Sequence, residues 1–297
     1  MTEQMIVFNR QSVRQHRDRA ATNLSEHDFL FRETAIRLVD RLGDVTRTFN
    51  TALDLGCHGG EIAAALEETG GPEMLVQCDL SPKLAQLART ARSPLALSAD
   101  EEAQPFGEQV FDLVLSNLSL HWVNDLPGAL AQARRSLKPD GLFLGALLGG
   151  STLNELHHAL KTAEIEIEGG LSPRLSPFAD VRDVGNLLTR AGFSLPVADR
   201  EIITVSYPDA FKLMSDLRGM GETNANVLRR TGLSRRATLM RAAEIYHQEF
   251  ADENGRVPAT FEVVFLTAWA PHESQPKPLR PGSAQGRLAD ALGVVKP

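Results

Sequence analysis

From Thr51 to Leu147 short apolar runs alternate with helical patterns. This alternation leaves few folds open, because parallel strands need a crossover, usually a helix, to carry the chain back. The first run, "TALDLGC" (51–57), breaks into a glycine turn, and a helix is expected from about Glu61 to a stop at Gly70 and Gly71. "MLVQCDL" (74–80) is the second strand, after which Ser81 suits an N-cap with Pro82 at the first helical position. "PLALSAD" (94–100) is short, while "VFDLVLSNLSL" (110–120) is nearly all apolar, as a central strand buried on both faces should be. Its helix is expected over Leu126–Leu137, with "KPDG" turning into the strand "LFLGALL" (142–148).

Beyond Gly150 the pattern changes. Thr152 and Glu155 have capping-box spacing for a helix ending near Gly169 and Gly170. "SPRLSPF" (172–178) reads as a loop, and the helix after it should stop at Gly192. "EIITVSY" (201–207) and "FEVVFLTAWA" (261–270) read as strands. The mostly helical stretch between them, about 50 residues, is long enough to form a lid over a pocket. The expected organisation is an N-terminal helical segment (1–50), a ligand-binding core (51–150), a part completing the sheet with a helical lid (151–271), and a loose tail (272–297).

A net charge of −7 argues against nucleic acid, whose binders show basic surfaces. Cys57 and Cys78 lack metal-type spacing and fit two buried thiols in a reducing compartment. No apolar run approaches membrane-spanning length, so no membrane insertion is expected. The Arg-rich start is read as a basic helix of the mature protein rather than a transit peptide, since it carries Glu3 and Asp18 and no small-residue cleavage site. The simplest setting is the cytoplasm of a bacterium.

What the glycine turn binds is narrowed by its neighbours. A G-x-x-x-x-G-K-[ST] phosphate loop is absent, and "GCHGGE" (56–61) lacks dinucleotide spacing. Asp54 at the end of the first strand would repel a diphosphate and attract an ammonium group. Asp79 ends the second strand, where a carboxylate can accept both ribose hydroxyls, and Asp100 ends the third, within reach of an adenine amino group. Each carboxylate alone reads equally as a cap or a solvated turn. Three in order at successive strand ends favour a ligand with an amino-acid head, a ribose and an adenine but no phosphate, which is S-adenosylmethionine (SAM).

"LDLGCHGG", "QCDLS", "SADEEAQPF", "FDLVLSNLSLHWVNDLPGAL" and "LKPDGLF" resemble the successive motifs of class I SAM-dependent methyltransferases. "VFNR", "GALLGGSTLNEL", "EGGLSPRLSPFADVRDVGNLLTRAGF", "DLRGMGETN", "VPATFEV" and "HESQ" resemble one subfamily, the methyltransferase-like mitochondrial complex I assembly factors and their alphaproteobacterial relatives. More distantly similar are the malonyl-carrier-protein methyltransferases of biotin synthesis. The match runs from about Val7 to Gly286. The resemblance implies an α/β, Rossmann-like fold with a seven-stranded, mostly parallel sheet, helices on both faces and a helical lid. It also implies an enzyme that binds SAM and modifies a protein arginine in a subunit of the respiratory NADH dehydrogenase, by hydroxylation or by methylation. The alternatives are methylation of a small or carrier-linked carboxylate, and a non-catalytic assembly chaperone. The candidate cofactor residues are Asp54, Gly56, His58, Gly60, Asp79, Leu80, Asp100, Glu101 and Asn117. His58 departs from the family pattern, which has glycine there. Its ring either crowds the ligand or points away while Gly59 absorbs the strain.

For chemistry, "SNLSLHWV" follows the strand beside the expected methyl group: Asn117 and Ser119 can bond ligand or substrate, and His121 can act as a base. A packing role for His121 and Trp122 is the blander reading. Tyr207 is a further catalytic candidate; Trp122, Arg218 and Glu222 are assigned to the substrate. Glu222 would pair with a guanidinium, Arg218 with a carboxylate, and the carboxylates together would give an arginine substrate an acidic field. No metal site is expected: there is no facial-triad string, and His157 and His158 point in different directions from a helix.

Overall fold

The pairing of strands follows from which runs are apolar on both faces. In a computed structural model, which describes residues 6–90, 93–174, 176–178 and 180–276, the strands are β1 (Thr51–Leu55), β2 (Met74–Asp79), β3 (Leu95–Ser98), β4 (Phe111–Asn117), β5 (Leu137–Leu148), β6 (Ser194–Tyr207) and β7 (Val257–Trp269). They form one sheet in the order β3-β2-β1-β4-β5-β7-β6. The pairs from β3 to β5 are parallel, whereas β7 runs antiparallel to both β5 and β6. Neighbours in β4 send alternate side chains to opposite faces: Leu113 and Leu115 enter one core, Val114 the other.

The helices are α1 (Arg10–Ala20), α2 (Phe29–Asp40), α3 (Glu61–Thr69), α4 (Pro82–Leu87), α5 (Leu126–Ser136), α6 (Asn154–Glu168), α7 (Val181–Arg190), α8 (Ala210–Met220) and α9 (Arg236–Phe250). The larger core joins one sheet face to α2, α3, α6, α8 and α9, and the smaller joins the other face to α5 and α7. Ser81 caps α4 as expected, accepting from Leu84 N at 3.1 Å with Pro82 in the first turn. The stretch expected as a lid consists of α8 and α9, between β6 and β7 in the chain. Cys57 and Cys78 are free and buried. Among the described residues no helix is long and apolar enough to cross a membrane.

Two local expectations are corrected. "KPDG" is not a turn before the strand. Lys138–Gly141 belongs to β5, where a register shift between Phe111 and Leu113 of β4 absorbs the extra residues. Asp140 there adopts φ 61° and its N–H bonds Ala270 O. Nor do Thr152 and Glu155 form a capping box. Strand β7 takes both side chains: Thr152 Oγ1 donates to Glu262 O at 3.2 Å, and the Thr260 hydroxyl donates to Glu155. Helix α6 starts one residue after a left-handed Leu153 with no side-chain cap. The tail's first residues are held in place, with Gln275 Nε2 donating to Asp140 Oδ1 and Ala270 O. The remainder, 277–297, lies outside the described residues.

Candidate functional site

The ends of β1, β2 and β4 meet over the turn 56–60, the crevice beyond the carboxyl ends of the strands where α/β sheets bind ligands. Gly56 has φ +81°, and a Cβ there would lie 2.1 Å from Ser119 Oγ, so only glycine fits. The N–H groups of Gly56 and Cys57 both donate to Cys78 O, tying the turn to β2.

His58 has φ 46°, so the histidine itself adopts the left-handed backbone, and Gly59 is not what absorbs the strain. Its ring lies against the carboxyl end of β4. It stacks on Phe31 of α2 with centroids 4.1 Å apart. Nε2 donates to Asn117 O and Leu118 O at 3.0 and 3.1 Å. Two carbonyl acceptors require the hydrogen on Nε2, and burial, then Arg17, hold the ring's pKa below the usual value, so the imidazole is neutral. Nδ1 is left buried without a partner.

The carboxylates are buried and differ sharply in state. Both oxygens of Asp54 lack a partner, and burial, with the like charges of Glu61 and Asp79, raises its pKa well above the usual range. Glu61 is pushed up to about 8 chiefly by burial. Asp79 instead accepts from Ser81 N at 2.7 Å and from His58 N at 3.2 Å. Glu101 is fully buried, and burial alone would raise its pKa. The guanidinium groups of Arg17 and Arg10 outweigh burial and hold it far below the ordinary carboxylate range.

Those two arginines come from α1, and no reading of the sequence placed them here. Arg17 is 1% exposed. Its Nη1 reaches Glu101 Oε1 at 2.8 Å and both Asp79 oxygens at 3.3 Å, and Nη2 donates to Ser119 Oγ at 2.8 Å. Arg10 bonds Asp100 Oδ1 at 2.6 Å, Glu101, and the Trp122 carbonyl. The visible signal is the stripe Val13, Arg17, Ala20 on the buried face of α1, with an arginine where the helical spacing calls for an apolar side chain.

A second cluster lies under the lid. Trp122 Nε1 and His121 Nε2 both donate to Glu222 Oε2, at 2.9 and 3.0 Å. Burial would raise the pKa of Glu222, but His121 holds it below the usual value. His121 Nδ1 is buried without a partner. Trp122, Leu148, Leu153, Phe178, Leu217 and Glu222 line a cavity of about 20 Å³, room for a single water. Asn117 stands between the two clusters, with Nδ2 donating to Phe31 O and Oδ1 unpartnered. Leu80 packs beside Phe8 and Trp122. Tyr207 lies apart, in the larger core at the end of β6, with its hydroxyl buried and unpartnered. Arg218 faces a neighbouring cleft. The acidic field expected for an arginine substrate is answered within the protein: Asp79 and Asp100 pair with Arg17 and Arg10, Asp54 is buried, and Glu222 bonds His121 and Trp122. Among the described residues no group of three or more His, Cys, Asp or Glu side chains is placed to hold a metal.

The donor set fits SAM on one condition. Unpartnered Asp54 suits an ammonium group, and Asp79 ends β2 where two hydroxyls can be accepted, but Arg17 must release Asp79. Sheet order, glycine turn and carboxylate-tipped strands are those of a class I methyltransferase fold, and residues 53–145 match the methyltransferase domain family. The phosphoethanolamine N-methyltransferase 2 of Haemonchus contortus, solved with S-adenosylmethionine, has the same fold, with a TM-score of 0.52, 18% identity, and 88% of this chain and 60% of that one covered.

The chain belongs to the family of the mitochondrial arginine-hydroxylase NDUFAF5. It is 45% identical over 295 residues to the Danio rerio protein, covering 98% of this chain and 91% of that one. The malonyl-[acyl-carrier protein] O-methyltransferase of Halorhodospira halophila is 37% identical over 266 residues, covering 88% of each chain. The chain is thus a methyltransferase-fold enzyme.

Proposed function

We propose that the protein modifies an arginine side chain of a protein substrate, a subunit of the respiratory NADH dehydrogenase during its assembly, and that SAM is the ligand of the glycine turn. The observation that carries this reading is 45% identity over 98% of the chain to a protein named an arginine-hydroxylase. The lid cluster supports it. Glu222 is a buried carboxylate at a cavity wall, a partner for a guanidinium fork once Trp122 or His121 yields. His121, donating to Glu222 through Nε2, leaves its other ring nitrogen, Nδ1, without a partner and available to a substrate. Asp54, Gly56, Asp79, Leu80 and Asn117 would hold SAM, which supplies a methyl group on a sulfonium. The test is mass spectrometry of the NADH dehydrogenase from cells with and without the gene. An arginine heavier by one oxygen only when the gene is present supports hydroxylation, one heavier by a methyl group supports methylation, and no difference refutes the reading.

A second reading, methylation of a carrier-linked carboxylate, is favoured by the Halorhodospira halophila relative and by the cationic cleft that contains Arg218. Methyl ester formation on a malonyl thioester, with no change on the dehydrogenase, would establish it instead.

A further inference from the structure

Next to the lid cavity lies a cleft of about 420 Å³ whose walls carry Arg19, Arg174, Arg218, Arg229 and Arg230. This is a concentration of positive charge in a chain whose net charge is −7. Part of it is answered locally. Arg174 bonds Glu164 at 2.8 Å, and Arg230 pairs with Glu168. Among the described residues Arg229 bonds Ser12 Oγ and the Asn226 carbonyl. Arg19 and Arg218 have no carboxylate partner among the described residues. They lie close enough that Arg218, after desolvation, lowers the pKa of Arg19. Like charges held together without a counterion destabilise one another unless an anion bridges them.

The cleft joins the site already described. Asn224 lines both cavities, and its Nδ2 donates to Pro173 O at 2.6 Å, which makes a shared wall. Its lining residues have apolar neighbours. Leu171, Leu228 and Leu233, each next in the chain to a lining residue, are 59%, 76% and 96% exposed. A site for a small anion needs no such exposed apolar neighbours. A groove that takes a peptide uses charge for register and apolar side chains for affinity.

We propose that this cleft is the docking site for an acidic, leucine-type segment of the protein substrate, whose carboxylates bridge Arg19, Arg218 and Arg229 while its apolar side chains cover Leu228 and Leu233. The docked segment would lead the chain past Asn224 toward Glu222. The inference rests on the reading that the substrate is a protein, but its test needs no turnover.

Fluorescence anisotropy of the full chain can follow three probes: a labelled Glu/Leu peptide without arginine, its Gln/Leu counterpart, and a malonyl thioester or inorganic phosphate as competitor. The Glu/Leu peptide should bind and the Gln/Leu peptide should not. Arg218→Glu and Arg19→Glu should each weaken binding about tenfold, as should a rise from low to high salt. Leu233→Glu, which alters only a 96% exposed side chain, should weaken it without a change in thermal midpoint. Equal binding of both peptides, or indifference to both arginine reversals, overturns the proposal. So does a thioester or phosphate whose binding is abolished by Arg218→Glu while the peptide does not bind. Peptide binding with no arginine modified in the cell would instead sink the arginine reading and leave the docking site standing.

Discussion

Arg17→Met tests whether the buried guanidinium is what keeps the carboxylate cluster charged. Methionine replaces much of the aliphatic volume, so the main loss is charge. Breaking a buried ion pair by removing one partner costs about 3–5 kcal/mol, because the remaining charge stays buried. Here Asp79 and Glu101 both lose a donor, while Arg10 still holds Glu101. A loss near the lower end, about 3 kcal/mol at neutral pH, is expected in urea unfolding. The pH dependence is more diagnostic. In the native protein Glu101 sits far below the ordinary range, so its stabilising contribution is present above the unfolded glutamate pKa and is lost only as pH falls through the depressed folded value. Without Arg17 burial has less opposition and the folded pKa rises, so charging the cluster costs stability as pH increases. The deficit of the variant should shrink from about pH 8 to about pH 5. A deficit that is constant with pH, or no deficit at all, would show that Arg17 contributes packing and not charge compensation.

Other substitutions probe the remaining groups. Asp79→Ala should weaken SAM by about 1.5–3 kcal/mol for each charge-assisted hydrogen bond lost; isothermal titration giving equal affinities rejects the ribose assignment. His58→Gly removes a ring stacked on Phe31 and a donor to two buried carbonyls. It should cost about 2–4 kcal/mol in denaturant, partly offset by relief of the left-handed backbone, with little change in SAM affinity. Much tighter SAM binding would restore the idea that the ring crowds the ligand. Glu61→Gln should flatten the pH profile. The folded pKa of Glu61 is raised to about 8, so wild-type stability is fullest below the ordinary glutamate pKa and declines as pH rises through about 8. The variant lacks that decline, and parallel thermal midpoints in the two proteins from about pH 5 to about pH 8 would contradict the assignment.

Much of the sheet was legible because its signals are local. Strand periodicity, the glycine turn and the Ser81-Pro82 cap are settled within a few residues, and β1, β2, β4 and α4 form where they were expected. The order of Asp54, Asp79 and Asp100 at strand ends was legible for the same reason. What was missed depends on partners distant in the chain. Thr152 and Glu155 have the spacing of a cap, yet Glu262 and Thr260 compete for them more than 100 residues away and win. Arg10 and Arg17 belong to a stretch that reads only as a basic helix, and only folding brings them to Asp100, Asp79 and Glu101. Tyr207 carried a suggestive hydroxyl, but nothing in "EIITVSY" tells which end of a long antiparallel strand reaches the cleft.

The N-terminal segment has a second attachment. Asn9 N donates to Ala225 O, Val227 N to Val7 O, and His16 bonds the Thr223 carbonyl, so the chain ahead of α1 is stitched to the stretch that follows α8. One helix therefore touches Asp79 with its buried face and steadies the loop bearing Glu222 from its flank. If a ligand that draws Asp79 away from Arg17 alters affinity at the lid cavity through that helix, occupancy of the cavity must alter affinity at Asp79 by the same factor. Hydrogen exchange of the amides of Ala225 and Val227, in Arg17→Met against wild type, would register that linkage as faster exchange at a distance from the substitution. Unchanged rates would mean that the two attachments act independently.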